Sequence, residues 1–138
     1  MNGYRFRYTS DTVFDTFPWP QAPTIAQAQK IAAAAVSLRA LRRKVMADNN
    51  WSLRELYRSL ELPGQNALRD AHAELDAAVR AAYGMKSKED PLAFLLALNA
   101  TTAQREARGE AVTAPGLPPC ASDPSSFLTT DCIQPPQL

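Results

Sequence analysis

The sequence predicts a mainly α-helical fold, a small bundle of about four helices preceded by a short β-rich N-terminal stub and followed by an extended Pro-rich tail. Three observations predict it. Apolar residues recur at helical spacing from about residue 24 to 107, strict alternation is confined to the first residues, and the 11 prolines sit mostly at the two ends. With 138 residues and 46% hydrophobic content, the chain suffices for one compact domain with a modest core. The expected division is residues 1–20 as a β segment and linker, 21–110 as the helical domain, and 111–138 as the tail.

Taken in order, Tyr4, Phe6 and Tyr8 alternate with Arg5, Arg7 and Thr9, the period-2 pattern of a half-buried strand. Thr12-Val-Phe-Asp-Thr-Phe17 is a candidate to pair with it. Two strands without a third are marginal, so this beginning reads as the end of something larger. Phe17-Pro-Trp-Pro20 then stops regular structure, because neither proline can donate to a ladder or helix.

Thr24 and Gln27 form a candidate capping box for a helix running to about Ala47, with Ile31, Ala35, Leu38, Leu41 and Val45 as its apolar stripe. Ser52 and Glu55 form a second box for a short helix that buries Leu53, Leu56, Tyr57 and Leu60 before Pro63-Gly64. Asn66 caps a third helix carrying Leu68, Ala71, His72, Leu75, Val79 and Ala82, closed by Gly84. Asp90-Pro91 starts a fourth, with Leu92, Leu95, Leu96 and Ala103 on one face and Gly109 after it. From Val112 onward small polar residues and prolines predict an extended or disordered tail.

The chemistry is read largely from what is missing. All five glycines, Gly3, Gly64, Gly84, Gly109 and Gly116, are isolated, so no glycine-rich loop is available to cradle a nucleotide or a methyl donor. No Asp/Asn-Pro-Pro-aromatic tetrapeptide exists. No catalytic residue, resident cofactor or metal site is therefore expected. Cys120 and Cys132 lack the further ligands of a structural zinc site and read as reduced thiols. No signal-peptide or membrane-span pattern is present, so the expected location is the cytoplasm. His72, with Asp76 four residues on, reads as a boundary histidine satisfied by that neighbour rather than as a general base.

A net charge of +1 gives no global case for a polyanion partner. The first helix is lopsided all the same. Lys30, Arg39, Arg42, Arg43 and Lys44 meet no acid between Thr24 and Ala47, and four of them fall near the expected end. A solvated face with compensation of the helix dipole and a phosphate-contacting face both fit. Arg5 and Arg7, alternating on one strand, suit guanine edges or phosphates, or simply an amphipathic edge. Phe17 and Trp19, held between prolines, suit a plug between the helical domain and what precedes it, or an exposed aromatic site for a base or peptide.

Several spaced motifs agree in order with one family. Tyr4-Arg-Phe-Arg-Tyr-Thr-Ser10 and Val13-Phe-Asp-Thr-Phe-Pro-Trp-Pro20 resemble the strand and "VYNTFPWP" block late in MmeI-like restriction-modification methyltransferases. Leu53-Arg-Glu-Leu-Tyr57 looks like that family's "L-x-x-L-Y" helix, and Leu68-Arg-Asp-Ala-His-Ala-Glu-Leu-Asp76 like its "L-R-x-A-H-x-x-L-D" helix. Tyr83-Gly84 matches the "Y-G" that ends it, and Asp15 departs from the more usual asparagine. The resemblance covers roughly residues 4–98.

It implies that residues 1–20 end a target-recognition domain and that the helices form a C-terminal accessory segment of an adenine DNA methyltransferase. S-adenosylmethionine would be the cofactor of the parent protein. The implied partners are DNA, in the context of that parent, and the methyltransferase and recognition portion, with no membrane. The cofactor loop, catalytic tetrapeptide and nuclease motif of the family are all missing here, so the chain is not expected to be catalytic alone. Candidate DNA contacts are Arg5, Arg7, Arg39, Arg42, Arg43 and Lys44, and candidate interdomain packing residues are Phe17, Trp19 and Trp51. The competing expectation is a free-standing helical module that binds a protein.

Overall fold

A computed structural model describes residues 9–129. Among them the fold is helical: α1 (Ile25–Asn49), α2 (Leu53–Arg58), α3 (Ala67–Tyr83) and α4 (Pro91–Ala107). A single π-turn at Ser10–Phe14 and short 3-10 turns at Ser59–Glu61 and Pro124–Phe127 complete the elements. The alternating run at Tyr4–Tyr8, with Arg5 and Arg7, lies outside the described residues. The expected second strand is not formed. Residues 12–14 belong to the π-turn, where the Thr9 carbonyl accepts from the Val13 amide (3.1 Å) and that of Ser10 from Asp15 (2.9 Å). The backbone polar groups are satisfied locally, which leaves nothing for a ladder.

The ends of the helices follow from their capping chemistry. Both capping boxes are closed. Thr24 accepts from the Gln27 amide while Gln27 Oε1 accepts from the Thr24 amide (2.9 Å), and Ser52 and Glu55 do the same. The backbone and side chain of Ser52 also hold the exposed Glu55 carboxyl below its ordinary value. Asn66 accepts from both Leu68 and Arg69, and Asp90 accepts from Ala93 with Pro91 in the first turn. Gly84, at φ 68°, ends α3 in the left-handed region that an L side chain rarely adopts. At the end of α1 that conformation falls to Asn50, φ 52°, so the helix runs on through Asn49 rather than stopping near Ala47.

α1 and α3 form the central packed pair. They run antiparallel: Gln27, near the start of α1, donates through Nε2 to the Ala81 carbonyl near the end of α3 (2.9 Å). At the opposite end Leu38 of α1 and Leu68 of α3 bury themselves with Leu56 of α2. Between these ends the buried positions are Ala34, Ala78 and Ala82, small side chains that bring the two backbones close. α2 crosses the Leu38 end, so Val45, Met46, Trp51, Tyr57 and Leu60 pack around a completely buried Leu56.

Several face assignments shift. On α1 Ala35 is exposed and Ala34 buried, and on α2 Leu53 is 46% exposed. α4 meets the other helices through Phe94, which sets its ring edge-on to Tyr83 (6.1 Å, 87°), and through Leu95. Its inward positions are Phe94, Leu95, Leu98 and Thr102, whereas Leu92, Leu96 and Ala103 face outward, Leu92 at 67% and Leu96 at 63% exposure. A run without a single charge from Pro91 to Gln104 leaves the apolar stripe ambiguous, and contact with Tyr83 selects the face.

The tail is ordered against the helices as far as it is described. Arg105 Nη2 donates to the Ala111 carbonyl (2.6 Å), and Thr113 is bound to Gln21. Of the extended and disordered alternatives, the described residues follow the extended one, with Pro124–Phe127 as the 3-10 turn among them. Cys120 is a half-buried free thiol, and Cys132 lies outside the described residues.

Replacing Leu56 with alanine should cost about 3 kcal/mol, because it empties the centre of the cluster that joins three helices. Leu96→Ala should cost well under about 1 kcal/mol. Urea unfolding followed by helical circular dichroism measures both, and equal losses would refute this placement of the core.

Candidate functional site

The arginines of α1 occupy one flank of the helix. At 3.6 residues per turn, Arg42, Arg39 and Arg43 fall within about 100° of arc, with Arg42 next to the buried stripe and Arg43 on the far side from it. Arg39 and Arg42 are half-buried and Arg43 is exposed. The Arg42 guanidinium lies over the Tyr57 ring, 5.5 Å from its centroid, a cation–π contact that ties the side chain to α2. Lys44 points elsewhere. It lies about a quarter-turn or more from that flank and pairs with Asp48, both side chains largely exposed. The expected absence of a balancing acid fails because α1 extends far enough to place Asp48 in its last turn. That extension also leaves the last turn without a basic residue, so the arginines are too far from the helix end to compensate its dipole.

Tyr57 joins this flank to α3. Its Oη lies 3.2 Å from His72 Nε2, with the rings tilted at 60° and 5.6 Å apart. His72 therefore finds its partner on α2. Asp76, the neighbour expected from its helical spacing, is exposed one turn further along α3, at the edge of a groove. Arg42, Tyr57 and His72 form a stack that ties α1, α2 and α3 together.

The Phe17–Pro20 block is seated on its own helical domain. Pro18 is buried, and Tyr83 Oη donates to its carbonyl (3.0 Å). Burial pushes the Tyr83 hydroxyl above its ordinary value of 10.0, which keeps it protonated as a donor. Trp19 receives Phe14 and Phe17 edge-on, at 5.8 and 5.6 Å. The Trp19 indole Nε1 is buried and has no acceptor among the described residues, a condition that typically costs about 1–3 kcal/mol. Phe14 and Phe17 keep 44% and 40% of their surface exposed. Trp51, expected beside Phe17 and Trp19 as an interdomain anchor, sits instead against the Leu38–Leu56–Leu68 cluster of its own domain. The short turn after Asn50 directs it inward, since its amide donates back to the Met46 carbonyl (2.9 Å).

Between the block, α1, α3, α4 and the tail lies an apolar groove of about 740 Å³, walled by Trp19, Ile31, Val79, Leu95 and Phe127. Two arginines that drew no attention in sequence bind loops, and Arg80 also lines this groove. Arg69 donates to the carbonyls of Leu60, Leu62 and Gly64, and Arg80 to those of Lys86 and Glu89. Each lies just ahead of, or behind, a loop that contains proline or glycine, and that adjacency is the only sequence signal for them. The Gln21–Thr113 contact had none, because the two residues are 92 positions apart.

Compared with protein-family models, curated proteins and solved structures, the chain matches none. Among the described residues no helix is long and apolar enough to cross a membrane, and no cluster of His, Cys, Asp or Glu could hold a metal ion.

Two outcomes check this geometry. Tyr57→Phe should cost about 1 kcal/mol through loss of the hydroxyl, and that cost should vanish in a His72→Ala background. An additive double mutant in chemical unfolding would separate the two rings energetically. Tyr83 supplies a pH dependence. Its folded-state value is raised, so its contribution is fully present below pH 10.0 and is lost as the pH climbs through the raised value. Tyr83→Phe should lack this alkaline loss in melting temperatures recorded between pH 8 and 11 (roughly the range set by the phenol).

Proposed function

We propose that the chain is the helical support of a DNA-recognition segment in an MmeI-like adenine methyltransferase, holding that segment at a fixed angle while the transfer chemistry, with S-adenosylmethionine, is done elsewhere in the parent protein. The observation that carries this reading is that the motifs behind the resemblance meet in space as pairs. Phe17–Pro20 is held by Tyr83 of the "Y-G" motif, and Tyr57 of "L-x-x-L-Y" is bound to His72 of "L-R-x-A-H". Residues far apart in the chain thus have a shared reason to occur together.

The mechanical role follows from the seat of the block. Two prolines fix its backbone, one carbonyl is bound by Tyr83, and the exposed edges of Phe14 and Phe17 offer apolar surface to whatever precedes them. The Arg39–Arg42–Arg43 flank supports a backbone-contacting role, since such contacts position a protein on DNA without reading sequence. Lys44 is set apart by its place on the helix, about 100° round from Arg43. Arg5 and Arg7 stay in the proposal as contacts on the recognition side, and the cytoplasm as the compartment.

A second reading, a helical module that binds a protein, is favoured by one observation: the outward Leu92 and Leu96 of the uncharged α4. Binding of the full chain to mixed-sequence duplex DNA separates the two. The first reading expects sequence-indifferent binding whose log K falls linearly with log salt. Replacing Arg39, Arg42 and Arg43 with alanine should lower the slope by about 0.9 for each phosphate no longer neutralised, while Lys44→Ala should change it little. No binding at the lowest salt would remove direct DNA contact from the function of this chain.

A further inference from the structure

Gln21 stands immediately after the Phe17–Pro20 block, and Thr113 stands at the start of the tail. Three hydrogen bonds join them. The Thr113 amide donates to Gln21 Oε1 (3.0 Å), Thr113 Oγ1 donates to the Gln21 carbonyl (2.8 Å), and Gln21 Nε2 donates to the Thr113 carbonyl (3.4 Å). The same Nε2 also donates to the Trp19 carbonyl at 2.8 Å. One side-chain amide therefore holds both the backbone of the block and the backbone of the tail.

Beyond this point the tail bonds to itself. Between Ala114 and Leu128 its hydrogen bonds are local, such as Ala121 to Pro118 and Ser125 to Asp123. Its contact with the helical domain there is apolar: Leu117, Pro118 and Phe127 line the groove whose other walls include Phe17 and Trp19. The closed arrangement also carries a standing cost, the buried Trp19 Nε1 without an acceptor among the described residues. An opening that exposed this donor to water would relieve that cost.

We propose that Gln21 and Thr113 form a latch that makes seating of the Phe17–Pro20 block and closure of the tail over the apolar groove a single coupled event. Lifting the tail frees the Gln21 amide, which loosens the Trp19 carbonyl and lets the indole reach water. Loosening the block from the other side, at Tyr83, releases the tail by the same route, because coupling between two sites is reciprocal. The latch does not depend on the DNA reading and survives its failure.

The test uses the full chain with Trp51→Phe, so that Trp19 is the remaining tryptophan. Thr113→Val removes one clasp bond at the tail, and Tyr83→Phe removes one bond at the block. Thr113→Val should raise acrylamide quenching of Trp19, and Tyr83→Phe should raise hydrogen exchange of the Thr113 amide, each by about fivefold for the loss of one bond. The Ala78 amide, in the middle of α3, should exchange as before in both. An effect confined to the mutated side overturns the coupling, and so does an equal rise at Ala78, which would mean global opening. Should Tyr83→Phe unfold the helical domain, Thr113→Val decides alone, since Thr113 lies outside the helices. Raised Trp19 quenching then supports the latch, and unchanged quenching overturns it.

Discussion

The close approach of α1 and α3 is the constraint on which the remaining structure rests. Ala34, Ala78 and Ala82 bring the backbones together, and the Gln27–Ala81 hydrogen bond fixes one end of the pair. At the other end Leu38 and Leu68 leave a gap that Leu56 fills completely, so α2 has one place to dock. Tyr57 then comes to rest between Arg42 and His72, and Tyr83 at the far end of α3 meets the Pro18 carbonyl. Larger side chains at the alanine positions would push the helices apart and displace both ends together.

Helix starts were legible in the sequence because each rests on chemistry within three residues: Thr24 with Gln27, Ser52 with Glu55, Asn66, and Asp90 before Pro91. Faces were legible where polar residues bracket the stripe, as on α3. They were not on α4, where every side from Pro91 to Gln104 is uncharged and only the tertiary contact with Tyr83 distinguishes them. The π-turn at Ser10–Phe14 eluded a pattern argument because the β-branched and aromatic run Thr12-Val-Phe14 also suits a strand. His72 was placed at its boundary position correctly but given the wrong partner, since helical spacing reveals neighbours along one helix and says nothing of a tyrosine on another.

The candidate site divides along the same line. The basic flank of α1 is visible as composition, yet its internal sorting depends on where the helix ends. Two further residues, ending in Asn49, carry Asp48 into the last turn, give Lys44 a partner and separate the arginines from the helix terminus. The aromatic block shows a comparable split. Its rigidity is written in two prolines, whereas its seat depends on a tyrosine 65 positions away.

Arg69 gathers its loop by carbonyl oxygens, and Arg80 does the same at Lys86 and Glu89 while also reaching the Met85 sulfur (3.1 Å). Because the grip is on the main chain, exposed side chains such as Leu62 and Lys88 carry little of it, whereas Leu60 packs on the core and Glu89 Oε2 accepts from the Lys86 amide (3.0 Å). The surface those loops present is accordingly the part of this molecule that evolution can repaint most freely without moving a helix.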